Sequence, residues 1–85
     1  MRHNKLAFYP CCSDDFVESY AILDKLVDKI IYCDLSKSAQ KKFDEQHAFF
    51  PKAQFLLKDA IETIKEISCI DVFFYRKDSN GVKSG

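Results

Sequence analysis

Apolar residues at Phe16, Tyr20, Leu23, Val27 and Ile30 step by four, three, four and three, the repeat of one helical face. Val17, Ile22 and Leu26 widen that stripe. Ahead of it, Leu6-Ala7-Phe8-Tyr9 reads as a short buried strand, closed by Pro10 where a missing N–H matters least. Ser13-Asp14-Asp15 opens the helix, with Asp15 and Glu18 spaced as a capping box. Ile30-Ile31-Tyr32-Cys33 is a second β-rich run, ended by Asp34. Ser36 or Ser38 can cap the next helix, on which Ala39, Phe43, His47 and Phe50 share a face. Pro51 interrupts that pattern and can restart a helix at its first turn. From there Ala53, Leu57, Ala60, Ile64 and Ile67 form a further stripe, reinforced by Leu56 and Ile61. Residues 70–75 read as a third strand, in which Phe73 and Phe74 point to opposite faces. Asp78-Ser79-Asn80-Gly81 is a turn signal, and residues 76–85 read as a flexible tail.

This order predicts an α/β fold. It is a small three-stranded, mainly parallel sheet (βαβαβ), with packed helices and the second helix broken at Pro51. Right-handed crossovers leave two strand orders. Order 2-1-3 covers both faces of the sheet and is the one expected. Order 3-2-1 leaves one aromatic face bare and calls for a dimer or a second half. The 85 residues form one small domain.

Composition narrows the function. Thirteen basic and thirteen acidic side chains cancel, so no strong field draws nucleic acid or an anionic membrane. The apolar run after the basic start is too short for a signal peptide, and none approaches a membrane span. A cytoplasmic location is therefore the expectation. Cys11, Cys12, Cys33 and Cys69 show no C-x-x-C spacing and read as small buried hydrophobes.

In open parallel sheets ligands bind outside the carboxyl ends of the strands. That rule gathers Cys11-Cys12-Ser13-Asp14-Asp15, Asp34-Leu35-Ser36 and residues 76–81 on one rim. The candidate ligand-binding residues are Cys12, Ser13, Asp15, Asp34, Ser36 and Asp78. With its first strand, the loop 11–15 and Asp34 ending the next strand, the chain resembles the N-terminal part of Rossmann-like domains. These include the S-adenosylmethionine-dependent methyltransferases. The resemblance implies that Asp34 takes the ribose hydroxyls of a cofactor. The loop lacks glycine and carries two carboxylates, which disfavours a pyrophosphate but excludes S-adenosylmethionine less.

Two other chemistries compete at the same rim. Asp14, Asp15, Asp34 and Asp78 could converge on Mg²⁺, although each also suits a local capping or turn role. Cys11 or Cys12 near a helix start could be an activated thiol, opposed by the adjacent aspartates. His47 lies on an apolar stripe and reads as packed, and no catalytic constellation can be assembled around it. The sequence is thus read as a non-enzymatic binding or interaction module that self-associates as a homodimer, pairing completing a small core. The alternative is a Rossmann-like enzyme or enzyme remnant that binds S-adenosylmethionine or Mg²⁺ at the strand ends.

Overall fold

The computed structural model describes residues 4–67 and 69–75. Its elements are β1 (Leu6–Pro10), α1 (Val17–Leu23), β2 (Lys29–Asp34) and α2 (Lys37–Gln46), followed by a 3-10 turn (His47–Phe49). Then come β3 (Ala53–Leu57), α3 (Ala60–Glu66) and β4 (Val72–Phe73). The four strands form one parallel sheet in the order β3-β2-β1-β4. The expected α/β class with a parallel sheet is therefore present, with a fourth strand added. The three anticipated strands, β1, β2 and β4, lie in the sense 2-1-3, and β3 extends the sheet beyond β2.

The added strand corrects the helix expected from Pro51. After α2 the 3-10 turn leads to Phe50 at φ −126°, ψ 62°, and Pro51 sits in a turn that feeds β3. Residues 53–57 alternate across the sheet. Ala53 and Phe55 join the core on one face, and Leu56 packs on the other. Pairing with β2 from Ile30↔Ala53 to Asp34↔Leu57 decides the conformation against the local helical spacing. The true third helix is α3, where the Asp59 side chain accepts from the Ile61 and Glu62 N–H groups at 2.9 and 3.2 Å.

Alternation along the strands produces two unequal layers. Ala7, Tyr9, Ile30, Tyr32 and Phe55 face α1 and α2, and the core there closes around Phe16. The Phe16 ring centroid lies 5.1 Å from Tyr32, 5.3 Å from Phe43 and 6.0 Å from Phe55. Edge-on pairs of this kind add about 0.5–1.5 kcal/mol each beyond the area they bury. The opposite face holds Phe8, Ile31 and Cys33, with Ala60 and Ile67 packed over them from the α3 side.

The helix expected to run from Phe16 to Ile30 is shorter: α1 ends at Leu23, Val27 follows the turn after it and Ile30 belongs to β2, although Phe16, Leu23, Val27 and Ile30 are all buried. The widening is not found, because Val17 and Ile22 are exposed on α1 and Leu26, past its end, is exposed too. The capping box is absent too: Phe16 occupies the N-cap position with no side-chain cap, and Asp15 is bonded elsewhere. Of the two possible caps for α2, Ser36 performs the role, accepting from the Ala39 N–H at 3.1 Å. His47 is exposed rather than packed in the stripe, with Nδ1 2.8 Å from the Asp44 carbonyl.

Candidate functional site

Because every strand runs the same way, the segments after β1, β2 and β3 meet at one rim. The loop after β1 is held in an unusual shape. Cys11 and Ser13 have φ of 54° and 55°, the left-handed region that residues with a Cβ seldom occupy. Neighbouring bonds over-determine that shape, which is the condition for such strain to persist. The Cys12 N–H donates to the Cys33 carbonyl at 3.2 Å, continuing the β1–β2 ladder past Pro10. The Ser13 N–H donates to Asp34 Oδ2 at 2.7 Å, and the Asp15 N–H donates back to the Cys12 carbonyl at 3.1 Å.

Asp34 is the hinge pin of the rim. Its Oδ1 accepts from the Ser36 N–H at 2.9 Å while Oδ2 holds Ser13. One carboxylate thus shapes both the loop after β1 and the entry to α2. A carboxylate oxygen has two acceptor sites, so each oxygen retains capacity for another donor.

The predicted site residues divide into three groups. Ser13, Asp34 and Ser36 come together at the rim through these bonds. Asp15 lies close by but is partly buried, and the Tyr9 hydroxyl donates to its Oδ2 at 2.7 Å. Cys12 is in the same loop, yet its side chain is buried in the core beneath α1 and presents no surface to a ligand. Asp78 lies outside the described residues, as do the tail 76–85 and the turn within it.

One residue at this rim was not among the candidates: Asp59 follows the end of β3 by two residues, and, after burial, Asp34 and then Asp59 raise the Cys11 thiol. Asp59 was hidden by the missed strand. An Asp with a Glu three residues later is an N-terminal signature that could have revealed it.

The thiols are not activated here. Burial pushes Cys12 far above the ordinary thiol range, with Asp34 and then Cys33 adding to the effect. Cys33 is also raised by burial, partly opposed by a hydrogen bond with the Thr63 side chain. A nucleophilic thiol requires the opposite shift. Asp14 pairs with Lys42 at 2.9 Å, and among the described residues no group of three or more His, Cys, Asp or Glu is placed to hold a metal ion.

Fold and rim together define a parallel α/β domain with a carboxylate-braced loop at the carboxyl ends of its strands. No family model, curated protein or solved structure matches the chain. Among the described residues no helix is long and apolar enough to cross a membrane.

Proposed function

We propose that this protein is a small α/β binding module that takes a hydroxyl-bearing small molecule without phosphate at the carboxyl rim of its sheet. The observation that carries this reading is the strand order β3-β2-β1-β4. It is the order of the first four strands of a doubly wound, Rossmann-like sheet, in which ligands bind where the order reverses. The reversal falls at β1, followed here by the loop that Asp34 braces. The spare acceptor sites on Asp34 suit a ribose diol, and the Ser13 and Ser36 hydroxyls lie on the segments to either side. Asp34 and Asp59 make the rim electronegative, which favours a neutral or cationic ligand such as S-adenosylmethionine over a nucleotide.

Amide chemical shifts of the full chain, recorded against S-adenosylmethionine, adenosine and ATP, test the reading. Saturable shifts at residues 11–13, 34–36 and 59 with the first two ligands, and weaker ones with ATP, are expected. No response to S-adenosylmethionine or adenosine overturns it.

A second reading, self-association, draws on the β4 edge. Phe73 and Tyr75 are 58% and 60% exposed there, and β4 has β1 as its strand neighbour among the described residues. Symmetric pairing of two such edges would bury four aromatic rings and complete a small core. Sedimentation should then show a dimer at micromolar concentration that Phe73→Ser converts to monomer. A wild-type chain that stays monomeric and folded rejects it. The four free cysteines suit a reducing, cytoplasmic setting for either reading.

A further inference from the structure

The opposite edge of the sheet carries a separate binding feature. A groove of about 440 Å³ lies beside β3, lined by Phe43, Phe50 and Phe55 with Asp44, His47 and Gln54. The three rings pack against one another, Phe43 lying 5.9 Å from both Phe50 and Phe55. The rings belong to the core and reach the groove only at their edges, which floor it within a polar border.

The backbone beside this wall is directed outward. The Ile30 N–H donates to the Lys52 carbonyl at 3.0 Å, and Ile30 is the register partner of Ala53. In a parallel ladder, successive residues of a strand turn their backbone groups to alternate sides. Gln54 and Leu56 therefore turn theirs toward β2, and Phe55 turns its N–H and C=O away from the sheet. Among the described residues no strand lies on that side of β3.

Among the described residues, Asp44 is the one carboxylate lining the groove, with His47 beside it. Asp44 lies near the carboxyl end of α2, a ten-residue helix with no basic residue in its last turn. A helix carries partial negative charge at that end. No ion pair engages Asp44 among the described residues. An acidic side chain near the negative end of a helix adds to a local field that a cation would relieve.

We propose that an extended segment of another polypeptide docks along β3 as an added parallel or antiparallel strand. It bonds to the Phe55 backbone, sets an apolar side chain against Phe43, Phe50 and Phe55, and places a Lys or Arg beside Asp44. Main-chain bonds supply affinity in such strand addition, and the side-chain pocket supplies selectivity. This site is independent of the carboxyl rim and of the β4 edge.

The test uses the full chain and an end-capped peptide of seven residues with alternating threonines, a central phenylalanine and a terminal arginine. Saturable amide shifts at Ala53, Phe55 and Leu57 are expected, together with slower hydrogen exchange of the Phe55 amide. Asp44 is exposed, so Asp44→Lys should fold normally. It should weaken the arginine peptide about threefold, as an exposed ion pair is lost, and strengthen a peptide ending in glutamate. Absence of a saturable shift at Phe55 overturns the proposal, as do shifts confined to the carboxyl rim or to β4. Phe55 protection that grows with protein concentration in the absence of peptide also overturns it, because the groove is then filled by a second copy of the chain.

Discussion

The Asp34 carboxylate accepts the Ser13 backbone N–H at 2.7 Å across 21 residues of sequence. With the Ser36 N–H on its other oxygen, it fastens the loop after β1 to the end of β2. Asp34→Ala removes both acceptors and leaves two backbone donors unpaired in a partly covered rim. A loss of about 2 kcal/mol is expected, within the range for hydrogen bonds to a charged group. Asp34→Asn keeps one acceptor oxygen and should lose about half as much. Urea unfolding of the three proteins measures both, and an unchanged midpoint for Asp34→Ala would show that the carboxylate does not brace the loop.

Cysteine labelling should follow burial and charge. Cys11 and Cys69 are exposed, whereas Cys12 and Cys33 are buried. Iodoacetamide at pH 8 should modify the first pair in the folded protein and the second pair only after unfolding. Cys11 should react more slowly than glutathione, since burial, Asp34 and Asp59 all disfavour its thiolate. Asp34→Asn removes one of those charges and should speed Cys11 without changing Cys69. Mass spectrometry of digests taken through the time course resolves each position.

Alkaline conditions should weaken the fold. Cys12, Cys33 and Tyr32 are all raised by burial from ordinary values of 9.0, 9.0 and 10.0. Below pH 9 these groups are protonated in both folded and unfolded chains and leave stability unchanged. Above it the unfolded chain sheds protons that the folded chain retains, so stability falls as pH rises. The limiting slope is about 1.4 kcal/mol per pH unit for each group. Denaturant melts between pH 8 and pH 11 should show the decline, and Cys12→Ala should make it shallower. A flat profile would contradict the burial of these groups.

Position along α1 should matter more than residue type. Phe16→Ala empties the centre of the aromatic cluster and should lose about 3–5 kcal/mol, a large part of the stability of a chain this small. Val17, its neighbour, is 66% exposed, and Val17→Ala should change stability by less than about 0.5 kcal/mol. Thermal melts of the two variants compare them directly.

The pattern of apolar positions located β1, β2, the presence of α1 and the Ser36 cap, because each depends on local periodicity or one capping residue. It carried α1 past Leu23 and misread residues 53–57 as helix. Ala53, Leu57, Ala60, Ile64 and Ile67 share helical spacing by coincidence: the first two belong to β3 and the others to α3 and the segment just after it. Only pairing with β2, more than twenty residues earlier, makes the strand preferable. The same limit applies at the rim. Asp34 and Ser13 were legible as strand-end residues, but the Tyr9–Asp15 bond that replaces the capping box depends on how β1 meets α1. Cys12 looked available from its loop position, and only the packing of α1 over the sheet shows its side chain turned inward.

The seam between β1 and β4 joins residues far apart in the chain, with the Leu6 N–H donating to Asp71 Oδ2 across 65 positions. On the ribosome, β1 emerges before β4 and must wait for it with that edge unsatisfied. Completion of the sheet therefore waits for Asp71 and β4, and a nascent chain stalled before Asp71 would expose β1 to capture by chaperones or by other nascent chains.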